Sequence, residues 1–107
     1  MKFDVLTLFP ESFEPIKQSI LGRALEKNLI SLNLINIRDF SKDKHKKVDD
    51  TPYGGGAGMV LMAQPYVDAY ESVKRVDNSL TVMLSPQGEP LTDKIVNELA
   101  EFEQIVM

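Results

Sequence analysis

Leu80-Thr81-Val82-Met83-Leu84-Ser85-Pro86-Gln87-Gly88-Glu89-Pro90 sets the architecture of this chain. The first five residues are apolar or β-branched, as in a buried strand, and a turn-rich stretch follows. Thr92 can cap a helix whose Ile95, Val96, Leu99 and Phe102 share a face. Gln104 to Met107 (QIVM) then begins another strand. A strand, a helix and a strand in this order make a parallel pair joined by a helical crossover.

Upstream the same alternation continues. Gln64-Pro65 opens a helix, because proline suits the first helical position, and Val67, Tyr70 and Val73 follow at helical spacing. Tyr66 and Ala69 lie alongside, and Asp77-Asn78 closes the helix. Leu32 to Ile37 (LNLINI) reads as a strand. Ser19 caps a helix with Ile20, Leu21, Ala24 and Leu25 on one face and Asn28 near its end, after a short helical turn from Glu11 to Ile16. Phe3 to Phe9 (FDVLTLF) is a buried strand that stops at Pro10. The order β-α-β-loop-α-β-α-β predicts an α/β fold, a mostly parallel sheet with helices on its faces. For the last strand two readings stand level. It either leads into a further crossover, leaving the domain unfinished at Met107, or is a short edge strand at a terminus.

Composition narrows the class. A length of 107 residues fits one domain, and 43% hydrophobic with 26% charged residues is typical of a folded globular chain. Apolar runs are too short to span a bilayer. Asp4 interrupts any signal-peptide core, and cysteine is absent, so the cytoplasm is the expected compartment. A net charge of −4 counts weakly against a nucleic-acid binder, since phosphate neutralisation needs Lys and Arg.

Between Arg38 and Met62 no periodicity survives, and connections this long tend to be functional or disordered. Pro52-Tyr53-Gly54-Gly55-Gly56-Ala57-Gly58-Met59 holds four of the chain's six glycines. It is neither a P-loop nor a dinucleotide fingerprint. Its apolar flank, Met59 to Met62, argues against a flexible linker and for an ordered functional loop. In Arg38 to Asp50, five cations meet four acids, and from charge alone a solvated loop is the better reading. The sharper one puts Lys44, Lys46 and Lys47 on RNA phosphates while an Asp of the loop does chemistry. His45 is the only histidine, and with no cysteine or HExxH pattern no metal site is expected. Ser85-Pro86-Gln87-Gly88 follows the carboxyl end of a strand, where open α/β sheets bind ligands, although an ordinary turn fits equally.

Taken in order, DVLTLFP (4–10), IRDF (37–40), Asp43-Lys44-His45, Val48 to Asp50, PYGGGAGMV (52–60) and LSPQG (84–88) resemble the bacterial tRNA (guanine-N1)-methyltransferase family of the SPOUT superfamily. The resemblance implies an α/β trefoil-knot domain that works as a homodimer and takes S-adenosylmethionine. Its reaction would be methylation of N1 of the guanine 3′-adjacent to the anticodon in tRNA. It implies cofactor binding by Leu84, Ser85, Pro86, Gln87 and Gly88. His45, Lys46 and Asp50 would face tRNA, and Tyr53, Gly54, Gly55, Gly56, Gly58 and Met59 would lie near the cofactor and target base. It further implies that residues 1–107 are one incomplete N-terminal cofactor-binding domain, truncated before the knot and lacking the helical C-terminal tRNA-binding domain. The general base would then lie beyond Met107, so no catalytic residue is assigned and the fragment is expected to be inactive. The residues also suit a non-catalytic RNA- or nucleotide-binding α/β module, or a half-domain that dimerises through exposed apolar surface.

Overall fold

A computed structural model describes residues 1–107. Strand β1 (Lys2–Thr7) is the organising element, pairing in parallel with β2 (Ser31–Asn36) on one side and β6 (Gln104–Val106) on the other. Strand β5 (Ser79–Thr81) pairs in parallel with the far side of β6, giving the order β2-β1-β6-β5. The last strand is therefore interior, which removes the edge-strand reading. Gln104, Ile105 and Val106 are all buried, as expected where a parallel strand is covered on both faces and paired on both sides.

The helical connections are shorter than the sequence suggests. Helix α1 (Ile20–Glu26) begins at Ser19, whose hydroxyl accepts from the Leu21 N–H at 3.2 Å. Its buried residue is Gly22, not Ile20 or Leu21, because the 3-10 helix Pro10–Gln18 folds back onto it. Helix α2 (Ala63–Ser72) stops at the extended Val73, five residues before Asn78, and Pro65 lies in its third position. Its inward residues are Pro65, Ala69 and Val73, with Tyr66 against the core, while Val67 faces out. Helix α3 (Asp93–Leu99) starts at Thr92, whose hydroxyl accepts from the Ile95 N–H at 3.3 Å, as expected. Strand β5 ends early: its ladder closes with the Val82 N–H on the Val106 carbonyl at 2.7 Å, and Met83 and Leu84 leave the sheet.

Helix α2 packs on the sheet face that carries Leu6 and Ile35, which are register partners in β1 and β2. Ile37, Val48 and Ala69 form the centre of that core, with Leu8, Phe40 and Tyr66 around it. On the opposite face, α1 and the strand residues Leu32 and Leu34 leave an open cleft of about 580 Å³, also lined by Lys17, Gly22, Leu25 and Glu26.

A polar network crosses the sheet. The buried Asp4 carboxylate accepts from Gln104 Nε2 at 2.7 Å and from Asn33 Nδ2 at 3.0 Å. Gln104 also donates to the Lys74 carbonyl at 3.0 Å and accepts from the Val76 N–H at 2.8 Å. One side chain thus joins β6, β1 and the segment after α2. Every buried side-chain polar atom has a partner, as native interiors require.

Candidate functional site

All four strands of the main sheet run the same way, so the segments that follow β1, β2 and β5 leave from one edge. Strands β2 and β5 are the two outer strands, roughly 14 Å apart at three strand spacings. The connection after β2 carries the histidine–lysine turn and the glycine loop, and the connection after β5 carries Leu84 to Gly88. In open α/β sheets the carboxyl edge is where ligands bind.

Residues 83–91 are exposed throughout. The Ser85 hydroxyl accepts from the Gln87 N–H at 3.1 Å, and the Ser85 carbonyl accepts from the Gly88 N–H at 3.1 Å, so Ser85 closes a turn and has no basic partner to activate it. The peptide groups of Met83 and Leu84 make no backbone bonds, and Leu84 is 82% exposed and Leu91 71% exposed. These peptide groups and aliphatic side chains therefore face solvent.

The segment that reads as a solvated loop is exposed from Lys42 to Lys47, as expected, and is also tied down by side-chain caps. A 3-10 turn, Ile37–Phe40, leaves β2 with the Asn36 side chain capping the Arg38 N–H at 3.0 Å. The buried Ser41 hydroxyl donates to the Lys47 carbonyl and accepts from the Asp43 N–H at 3.2 Å. Asp43 Oδ2 accepts from the His45 N–H at 2.8 Å and the Lys47 N–H at 3.3 Å. These backbone donors, His45 first, hold the Asp43 carboxyl below the usual carboxylate range. Asp50 is also lowered, chiefly by the Thr51 N–H and then by the Lys47 charge, whose Nζ lies 3.6 Å away. Both acids are thus committed. Lys44 and Lys46 make no ion pair and are exposed, as is His45.

The glycine loop is the tip of a β-hairpin that the sequence pattern hides. Strands β3 (Asp49–Asp50) and β4 (Val60–Leu61) pair antiparallel, each too short to show an alternation. The buried Val48 roots the hairpin, its carbonyl accepting from the Met62 N–H at 2.7 Å. Gly54, Gly55 and Gly58 have φ of 88°, 78° and 84°, and a Cβ at any of them would meet nothing within 4 Å. The need is for backbone angle, not for room. Gly54→Ala or Gly55→Ala should therefore lower the unfolding free energy by about 1 kcal/mol. Gly56→Ala, with open space and no positive φ, should change it by only a few tenths. Equal losses at all three in urea titrations would contradict this. Tyr53 stands fully exposed at the tip, with Met59, Val60 and Leu61 also exposed.

The predicted residues thus fall on two features. Leu84 to Gly88 form the turn after β5, while His45, Lys46, Asp50, Tyr53, Gly54, Gly55, Gly56, Gly58 and Met59 lie on the turn and hairpin after β2. Sequence reasoning missed Ser41, Asp43 as a cap, and Gln64, which bonds the Phe40 carbonyl and the Lys42 N–H from the first turn of α2. The Ser41-x-Asp43 spacing was the available signal, since both residue types cap nearby N–H groups. No cluster of acidic or histidine side chains suits a metal ion.

These features describe an open parallel α/β domain with its irregular segments gathered at the carboxyl edge. A family model described as tRNA (Guanine-1)-methyltransferase TrmD matches residues 1–107, and the chain belongs to that family. It is 57% identical over 108 residues to a tRNA (guanine-N(1)-)-methyltransferase of Caldanaerobacter subterraneus subsp. tengcongensis, covering 100% of this chain and 45% of that protein. The enzyme of the same name from Clostridium botulinum is 50% identical over 106 residues, 99% of this chain and 44% of the relative. That of Carboxydothermus hydrogenoformans is 51% identical over 107 residues, 99% of this chain and 42% of the relative. The chain therefore spans less than half the length of these relatives and corresponds to their N-terminal portion.

Proposed function

We propose that this chain is the N-terminal, cofactor-binding portion of an enzyme that moves a methyl group from S-adenosylmethionine to N1 of the guanine 3′-adjacent to the anticodon of tRNA. The observation that carries the reading is the family match over all of residues 1–107. The chain's geometry supports it, because both motif-bearing connections leave the same edge of the sheet. Bound S-adenosylmethionine would supply an activated methyl group on sulfur. Leu84, Ser85, Pro86, Gln87 and Gly88 would hold one side of it, with the unpaired peptide groups and exposed side chain of Leu84 open to it. His45, Lys46 and Asp50 would face tRNA. Tyr53, with Gly54 to Met59 around it, would meet the target base or its neighbour, since an exposed aromatic ring is a stacking surface for a splayed base.

Guanine N1 is protonated at neutral pH, so transfer to it requires a base. Asp43 and Asp50 are poor candidates, because donors that lower a carboxyl pKa also weaken it as a base. The family resemblance implies a base in the part of the enzyme that would follow these residues. That part would also complete a trefoil knot and add the helical tRNA-binding domain, in a cytoplasmic homodimer. Residues 1–107 alone would not turn over. Calorimetry tests this directly: S-adenosylmethionine should bind the full-length protein and bind residues 1–107 at least tenfold more weakly. Absence of binding to the full-length protein would overturn the reading in favour of a non-catalytic RNA-binding module.

A further inference from the structure

We infer that Ser41, Asp43 and Gln64 form a clasp whose role is to hold Lys44 and Lys46 in register with phosphates of the RNA; this rests on the function proposed above. The observation is that one buried hydroxyl and two side chains over-determine a seven-residue exposed turn. Gln64 Nε2 donates to the Phe40 carbonyl at 2.6 Å, and Gln64 Oε1 accepts from the Lys42 N–H at 3.3 Å, so a single amide brackets Ser41 from helix α2. Asp68 Oδ2 fixes that amide by accepting from Nε2 at 2.7 Å. Ser41 and Asp43 then close the turn on Lys47, and Lys46 takes a left-handed backbone with φ of 57°, which a non-glycine residue holds only when its neighbours impose it.

The consequence is a separation of charges within a loop that is nearly neutral overall. Asp43 turns its carboxylate toward backbone N–H groups, and Asp50 takes Lys47. Lys44 and Lys46 are left without acidic partners on the outside of the turn. The −4 charge of the chain is thus no obstacle to a local cationic contact. A polyanion such as an RNA backbone is the chemistry that two uncommitted ammonium groups on a held backbone match. Ser41, Asp43 and Gln64 are positioning residues in this scheme, since none of them needs to touch RNA.

Comparing Asp43→Asn with Asp43→Ala in the full-length protein separates position from charge. Both remove one negative charge, but asparagine keeps a side-chain oxygen that can accept from the His45 and Lys47 N–H groups. Asp43→Asn should bind tRNA at least as tightly as the parent. Asp43→Ala should bind about fivefold more weakly than Asp43→Asn, roughly the effect of losing one cap. Its salt dependence should also be shallower by nearly one unit per lost phosphate contact, about 0.7–0.9. Gln64→Met, which removes the bracket from a different element, should repeat the alanine result. Amide exchange at His45 and Lys47 should accelerate in the alanine variant alone of the two, with a fall of about fivefold or less in the folding equilibrium constant from the lost cap. Equal affinity and salt slope for the alanine and asparagine variants would overturn the clasp while leaving the enzyme reading intact. Failure of the parent protein to bind tRNA would overturn both.

Discussion

Gln104→Ala should lower the unfolding free energy of this chain by about 3 kcal/mol, as the sum of two or three buried polar groups left without partners. The substitution removes the 2.7 Å donor to Asp4, the 3.0 Å donor to the Lys74 carbonyl and the 2.8 Å acceptor of the Val76 N–H. Asp4 is 1% exposed and would keep only Asn33 Nδ2 at 3.0 Å and the distant Lys2 Nζ at 3.9 Å. Gln104→Leu fills the same space without polar atoms and should cost nearly as much, because the loss lies in the partners and not in the volume. Urea unfolding of both variants measures this. A loss below about 1 kcal/mol for both would mean that water reaches Asp4 and satisfies it, and that the network does not hold the sheet together.

Gly22→Ala is the second large effect, and its sign is the informative part. In an ordinary helix interior alanine is more stable than glycine by about 1 kcal/mol. Here the added Cβ would sit 2.1 Å from the Lys17 carbonyl oxygen and 2.6 Å from its carbon. Both are backbone atoms of the preceding 3-10 helix, so no side-chain rotation relieves the clash. The segment Pro10–Gln18 must move away from α1, opening further the cleft between α1 and Leu32 and Leu34. The expected result is a net destabilisation of about 1–3 kcal/mol. A variant more stable than the parent would show that the close approach of α1 to Lys17 does not exist in solution.

The parallel sheet was legible because its strands are separated by helices with recognisable starts. Ser19 and Thr92 both cap where their hydroxyls suggested. What the pattern could not give was which side of each helix faces inward. Ile20 looked like a core residue and is 79% exposed, because the contact with the 3-10 helix is made by Gly22, a residue with no side chain to read. Asp4 and Gln104 lie 100 positions apart, and nothing local marks either as buried. Candidate binding residues were legible as motifs only. Their placement at one edge follows from the strand order, and charge counting could not show that the solvated turn from Ser41 to Lys47 is ordered, because it cannot see that Asp43 and Asp50 are bonded to N–H groups.

Methyl transfer by the full-length protein tests the proposed function most directly. Radiolabelled S-adenosylmethionine is supplied with two tRNA transcripts that differ only in the base 3′ to the anticodon, guanine in one and adenine in the other. Label should enter the guanine transcript alone and be recovered as 1-methylguanosine, and residues 1–107 by themselves should transfer none. Label in neither transcript, or in both alike, would contradict a guanine-N1 methyltransferase.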